Sequence, residues 1–386
     1  MSSKSSSRNV GSPRGSPRGR PVSRRKAPES PFPSASPASA VPRRIESIAS
    51  VVSRSLSLGN GAPIKWHGTP SSELLTGSPA SVIPRRMELI ASVSRSSGLE
   101  ADGDDLKNTA VQDEYRRFIQ EKLDILWEKY PRNPKETEEE LRHRINTQEN
   151  VLIMFRKLRE GVISSKRVGQ FTNEVYETSL YVAVLFDSPR HISAIVPALL
   201  THFRLASTEP HPHCDKAVLI CLLQHLVAGY PSQREFHSYL ASVPRAFFPD
   251  NSAMSIWITS LAGCVRTQNY AKIDQLTRLS SLPVIESESG PQLARKALYH
   301  LVHTFRNKTR EMAWVVIRTA YRELSCQVDP QIDTRKWLQR SLGLHNSFPA
   351  GSNIDLDRWL EQESEHGHVV KKDGVEGRWI IRKPRQ

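Results

Sequence analysis

The sequence predicts an all-α protein with a small C-terminal β-wing: a stack of helical pairs of the TPR-like kind, ending in a winged helix and preceded by a disordered N-terminal tail. Three observations predict it. Apolar residues recur at helical spacing from Asp113 nearly to the end, and the period changes to two only in the last twenty residues. The first hundred residues hold too few large apolar side chains to offset the entropy of ordering them.

The tail, residues 1–105, is rich in Ser, Pro, Arg and Gly. It also holds most of the positive charge. Met1–Glu100 has 15 Lys/Arg against 5 Asp/Glu, net +10, whereas the other 286 residues have 39 against 35, net +4. A nearly neutral folded part with a cationic arm points to an anionic partner for the arm, nucleic acid before membrane, because no amphipathic apolar face accompanies the charge. Ser12, Ser16, Ser30, Ser36, Ser78 and Thr69 each precede Pro, and phosphorylation there would offset the charge.

The tail contains a duplication. Ser36 to Val51 recurs 42 residues later as Ser78 to Val93, with 12 of 16 positions identical. Each copy places Pro-Arg-Arg before a short amphipathic segment, Ile45, Ile48 and Val52 in the first, Met87, Ile90 and Val93 in the second. Such a segment is either a peptide that folds against a partner or a repeated stretch of tail with no partner.

Residues 106–306 read as the helical stack. Tyr115, Phe118, Ile119, Leu123, Leu126, Trp127 and Tyr130 form one stripe, ended by Pro131. Pro134 restarts the chain at a first helical position, and Leu141, Ile145, Val151, Leu152, Phe155 and Leu158 continue to Gly161. Helices are expected over Phe171–Phe186, from Ser188-Pro189 to Phe203, and from about Cys214 to Val227 with Gly229 as the stop. Ser232 to Glu235 reads as a capping box before Phe236. Asn251–Val265, Tyr270–Leu279 and Pro291–Phe305 complete the series.

Residues 307–386 read as the winged helix. The stripe Leu301, Phe305, Met312, Val316, Ala320 and Leu324 leads into it, and Cys326-Gln327-Val328 is the candidate first strand. Two compact helices follow, Asp333–Leu342 stopped by Gly343 and Asp355–His366 stopped by Gly367, each with an Asp placed to cap. His368 to Lys371 and Arg378 to Arg382 then alternate around Asp373-Gly374 and Glu376-Gly377, as a hairpin does. Val369, Val370, Trp379 and Ile381 are expected to pack it on the preceding helices, with Trp379 inward on the face of Ile381.

Little in the sequence points to catalysis. It has no nucleophile elbow, P-loop, HExxH or paired Cys-x-x-Cys, so no catalytic residue, metal or cofactor is expected. His211-Pro212-His213-Cys214 has ligand chemistry suited to zinc but lacks an evident fourth ligand beyond His202. Asp355, Asp357, Glu361, Glu363 and Glu365 have the spacing of a solvated helix face. The cysteines, Cys214, Cys221, Cys264 and Cys326, read as buried free thiols. The longest apolar stretch, near Tyr181 to Phe186, is far short of the roughly 20 residues a membrane helix needs, so no membrane partner is expected.

Several strings resemble a known family. Phe171-Thr172-Asn173-Glu174-Val175-Tyr176-Glu177-Thr178 resembles the Phe-Thr-x-x-Val-Tyr-Glu-Thr helix of the suppressor-of-actin/GANP family of PCI-domain proteins. Thr267-Gln268-Asn269-Tyr270 resembles its Asn-Tyr turn, with Ile273-Asp274 where the family has an aromatic pair. Arg310 to Ala313 and Ala320-Tyr321-Arg322 are similar to its Arg-x-x-Ala to Ala-Tyr-Arg helix. Glu235 to Pro244 resembles instead a string of the smallest PCI subunit of the proteasome lid. The family's Cys-Pro-rich segment is absent. The resemblance covers about residues 140 to 383 and implies a non-catalytic scaffold or adaptor. It implies as partners another PCI-domain protein and the small acidic subunit that clamps such proteins, with a nuclear location, in part cytoplasmic, linked to mRNA processing or export. The alternative is a lid-like scaffold with protein-only contacts.

For contact with RNA or DNA the candidate residues are Arg335, Lys336 and Arg340 in the second helix of the winged helix and Arg358 in the third. Lys371, Lys372, Arg378, Arg382 and Lys383 lie on or beside the wing. From His366 to Gln386 there are six Lys/Arg against two acids, an excess suited to a phosphate backbone.

Overall fold

A computed structural model describes residues 87–93, 104–130, 136–206, 214–285, 292–327, 334–344 and 355–383, with side chains from 204 to 206 excepted. These lie in one compact unit, residues 82–386. The expected disorder of residues 1–86, the first copy of the duplication, Asp333, and His211 to His213 of the zinc candidate fall outside the described residues.

The protein is all-α with a small three-stranded antiparallel sheet near its C-terminal end, as the periodicity predicts. The stack begins with α1 (Thr109–Lys129), which Asn108 caps by accepting a 2.9 Å hydrogen bond from the Ala110 N–H. Val111, Tyr115, Ile119, Leu123 and Leu126 make its buried face. Helix α2 (Glu138–Ser164) starts later than Pro134 suggests. Thr137 and Glu140 form a capping box, each satisfying a backbone N–H of the other, and that sets the start. Nor does the helix stop at Gly161. That residue is buried within it, and a Cβ there would lie 2.6 Å from the Leu106 carbonyl oxygen, so glycine is required for close approach.

The next elements are α3 (Gln170–Leu185), α4 (Pro189–Ala206), α5 (Cys214–Gly229), α6 (Arg234–Ser242), α7 (Ala253–Arg266) and α8 (Tyr270–Leu276). Each packs on its neighbour in sequence at α1–α2, α2–α3, α3–α4, α5–α6 and α7–α8, which is the paired stack. The expected box at Ser232 does not form. Helix α6 begins after Gln233 with no side-chain cap, and Ser232 Oγ only accepts a long 3.4 Å bond from the Arg234 N–H.

Helix α9 (Leu293–Ala320) is one continuous element of 28 residues, where the sequence suggests a division at 306/307. What changes there is the core. Leu298, Leu301, Val302 and Phe305 belong to the stack, crossing α3 and α5, whereas Ala313, Trp314 and Ile317 belong to a second core in the winged helix. The expected stripe through Val316 and Ala320 is accordingly out of phase, and both are exposed.

The winged helix continues with β1 (Glu323–Ser325), α10 (Thr334–Ser341), α11 (Leu356–Glu365), β2 (Val369–Lys371) and β3 (Arg378–Ile381), in sheet order β1-β3-β2. The first strand lies three residues before the expected Cys326–Val328. The helix ends at Ala320, freeing Leu324 to pair with Trp379 across the ladder and bury itself at 2% exposure. Gly343 and Gly367 end their helices in left-handed conformation, as expected. Asp355 occupies the cap position of α11 but makes no side-chain cap bond. Trp379 faces inward with Val369 and Ile381, whereas Val370 faces out, contrary to expectation, because successive strand side chains alternate.

Candidate partner and nucleic-acid interface

A buried polar clamp holds the winged helix against the stack. Arg306 of α9 donates to Asp274 Oδ1 at 2.8 Å, to Thr277 Oγ1 at 2.7 Å and to the Gly343 carbonyl at 2.8 Å. Asp274 and Thr277 come from α8 and its C-cap, and Gly343 from the turn after α10, so one guanidinium ties three elements together. Arg310 adds a 2.9 Å bond to the Leu342 carbonyl. Burial pushes the Arg306 guanidinium down from its ordinary range while Asp274 pushes it back. The clamp makes α10 and its wing a fixed extension of the stack.

The nine candidate cations divide into two groups on that platform. Four are engaged by acids. Arg335 grips Asp357 with two guanidinium nitrogens, one at 2.9 Å, and donates to the Cys326 carbonyl at 3.2 Å. Lys371 pairs with Glu361 at 3.1 Å while lying 5.3 Å over the Trp379 ring. Lys372 and Arg378 converge on Glu323 at 3.2 and 3.4 Å. Arg335, Lys371, Lys372 and Arg378 line a groove of about 1040 Å³ whose wall also carries Asp357, Glu361, Asp373 and Glu376, so its charges balance. The excess read from the sequence is reduced there because Glu361 of the preceding helix and Glu323, 49 residues before Lys372, pair with the wing's cations.

The other five are exposed: Lys336 and Arg340 on α10, Arg358 on α11, and Arg382 and Lys383 after the wing. Arg340 borders a shallow cleft with Asn269, Lys272 and Arg278 at the seam with α8. Arg358, Arg382 and Lys383 have no ion pair among the described residues.

The outward face of the sheet has an apolar centre. Val370 and Ile380 are direct cross-strand partners, 37% and 44% exposed, and Glu323 pairs with Ile380 on the other side. Arg378 and Lys372 lie on one flank of this pair and Arg382 on the other. A second apolar spot is the edge-to-face contact of Tyr321 and Trp337, rings 5.5 Å apart and both more than a third exposed. Sequence reasoning missed this pair. The available signal was Trp337 beside Leu338 in a short polar helix, where only one of two adjacent residues can face inward.

Elsewhere burial shifts some ionisable groups. Cys214 donates to the Phe247 carbonyl at 3.6 Å, and burial pushes its thiol up to about 11. Among the described residues no group of three His, Cys, Asp or Glu could hold a metal ion. Glu177, inside the family-like string, is pushed up to about 8 by burial, with Glu174 adding to the effect and Lys216 of α5 opposing it. Of the acids on α11, Asp357 and Glu361 serve the ion pairs above, and Glu363 accepts from Trp314 Nε1 and meets His368 Nδ1 at 2.6 Å. No helix among the described residues is long and apolar enough to cross a membrane.

No protein-family model matches the chain, and no curated protein matches it.

Proposed function

We propose that the chain is a non-catalytic scaffold or adaptor of PCI type, resembling the suppressor-of-actin/GANP family, in a nuclear assembly linked to mRNA processing or export. The observation that carries the reading is the outward face of the wing, an apolar Val370–Ile380 centre flanked by cations on a winged helix clamped to the stack. A rigid patch of that kind suits a subunit interface, with apolar contact at the centre and charge at the rim. The partner is a second PCI-domain protein, with a small acidic subunit beside it. RNA or DNA contact falls to Arg358, Arg382 and Lys383, with Lys336 and Arg340 on α10. A specific observation favours the second reading, a lid-like scaffold with protein-only contacts: Lys371, Lys372, Arg335 and Arg378 are already engaged by carboxylates.

Two measurements decide between them. Purification of the tagged chain, followed by identification of stoichiometric companions, is expected to yield a second PCI protein, lost on Val370→Asp with Ile380→Asp. Affinity for single-stranded RNA is expected to fall steeply with salt, since each neutralised phosphate releases counterions. Charge reversal of Arg358, Arg382 and Lys383 should then lower it at least about tenfold at low salt with the melting temperature unchanged. RNA binding that ignores both salt and these residues would leave the protein-only scaffold.

A further inference from the structure

The duplicated tail segment supplies an inference independent of the scaffold reading. The described part of its second copy, residues 87–93, is docked: Met87, Ile90 and Ser92 are buried, and Val93 packs against the stack core. The expectation of a tail up to residue 105 therefore fails for residues 87–93, because these few residues bury a complete apolar face. Met87–Leu89 form a single 3-10 turn, and both helices of the first pair hold the segment. Lys122 of α1 pairs with Glu88 at 2.6 Å. From α2, Lys157 donates to the Ile90 carbonyl at 2.7 Å, and Glu160 accepts from the Ser92 hydroxyl. Leu89 points away, 70% exposed.

The first copy keeps every one of these determinants. Ile45, Glu46, Ile48, Ser50 and Val51 stand where Met87, Glu88, Ile90, Ser92 and Val93 stand. Over this stretch the copies differ at two positions. Ile45 for Met87 keeps an apolar side chain of similar size, and Ser47 replaces Leu89, the exposed residue. The only change of polarity thus falls where the groove makes no demand.

We propose that the α1–α2 surface is a peptide-recognition groove for the pattern apolar-Glu-x-Ile-Ala-Ser-Val, and that Ile45–Val51 is its second ligand. One groove then serves two interchangeable segments, which share it in proportion to their effective concentrations. Met87–Val93, only 15 residues before α1, holds the advantage; whichever copy is out carries its own Pro-Arg-Arg and apolar face.

The test uses the full chain with Ile48→Asp and Ile90→Asp together, which removes both internal ligands. Labelled peptides of residues 42–54 and 84–96 are titrated into this variant and into the unaltered chain. Both peptides are expected to bind the variant with affinities within about threefold of each other, and the unaltered chain at least about tenfold more weakly, because the tethered copy competes. Lys157→Ala in the variant background should weaken both by the same factor. Binding of peptide 84–96 alone, binding of neither, or equal binding to both chains would each overturn the proposal. Should Ile90→Asp disturb folding, Ser50→Glu with Ser92→Glu opens the groove instead, by setting a carboxylate against Glu160 without removing apolar surface.

Discussion

The helical stack and the seam with the winged helix both bury ionisable groups, and they neutralise them by opposite means. In the stack, Glu177 is 8% exposed beside Glu174 and Lys216, and burial raises its carboxyl to about 8, toward the protonated form. At the seam, Arg306 and Asp274, 5% and 2% exposed, are joined as an ion pair, Asp274 taking bonds from Arg306 and Arg278 and Arg306 giving others to Thr277 and the Gly343 carbonyl. The difference follows from what each region must do. Sequence-adjacent helices with broad apolar faces hold themselves together by burial, whereas α8, α9 and α10 meet through a few residues and need directional bonds to fix one relative placement. Polar specificity appears where apolar area is scarce.

Breaking the seam should have the largest effect. Asp274→Ala strands the Arg306 guanidinium in the interior and is expected to cost about 3–5 kcal/mol, read by thermal or urea unfolding. Replacing both partners, Asp274→Leu with Arg306→Met, should recover much of that loss, since no charge is then left buried. A double variant as unstable as the single one would show that the shape of the pair matters more than its charge.

Glu177→Gln tests the stack's side of the comparison. A carboxyl whose folded value lies near 8 against an ordinary 4.5 contributes its full stability below 4.5 and loses it as pH rises through 8. The unaltered chain should therefore lose stability between those limits, and the variant should not lose that part. The gap at pH 8.5 is expected to be on the order of 4–5 kcal/mol in favour of glutamine. Parallel pH curves for the two chains would mean that the carboxyl is paired and charged.

These two sites also mark how far the sequence could be read. Helical periodicity, the glycine stops after α10 and α11, and the alternation around Asp373-Gly374 made the fold class and the wing legible, because each is a local signal. Long-range pairings left no such trace. Nothing near Lys372 announces Glu323, 49 residues earlier, and so the wing looked more positive than it is. In the sequence Asp274 stands out only as a departure from a family's aromatic pair, although its carboxylate anchors the seam. The phase of α9 was misjudged for a related reason. One helix serves two cores in succession, and a single stripe drawn through it follows neither. The second tail copy was visible as a duplication, yet only α1 and α2 reveal which of its side chains face inward.

The smallest effect on stability separates the two kinds of cation on the wing. Glu323 holds Lys372 and Arg378 in half-exposed pairs, which contribute less than about 1 kcal/mol in water, so Glu323→Gln should leave the unfolding midpoint nearly unmoved. Its effect on binding need not be small. If phosphate lies across the outer face of the sheet, freeing two cations strengthens the attraction, and affinity for single-stranded RNA should rise on the order of a few-fold at low salt, with a steeper salt slope. If the face belongs to a protein partner, RNA affinity should stay where it was, and the partner should bind less tightly, because Glu323 borders Ile380 on the docking face. One substitution that barely touches the fold thus assigns the wing to nucleic acid or to protein.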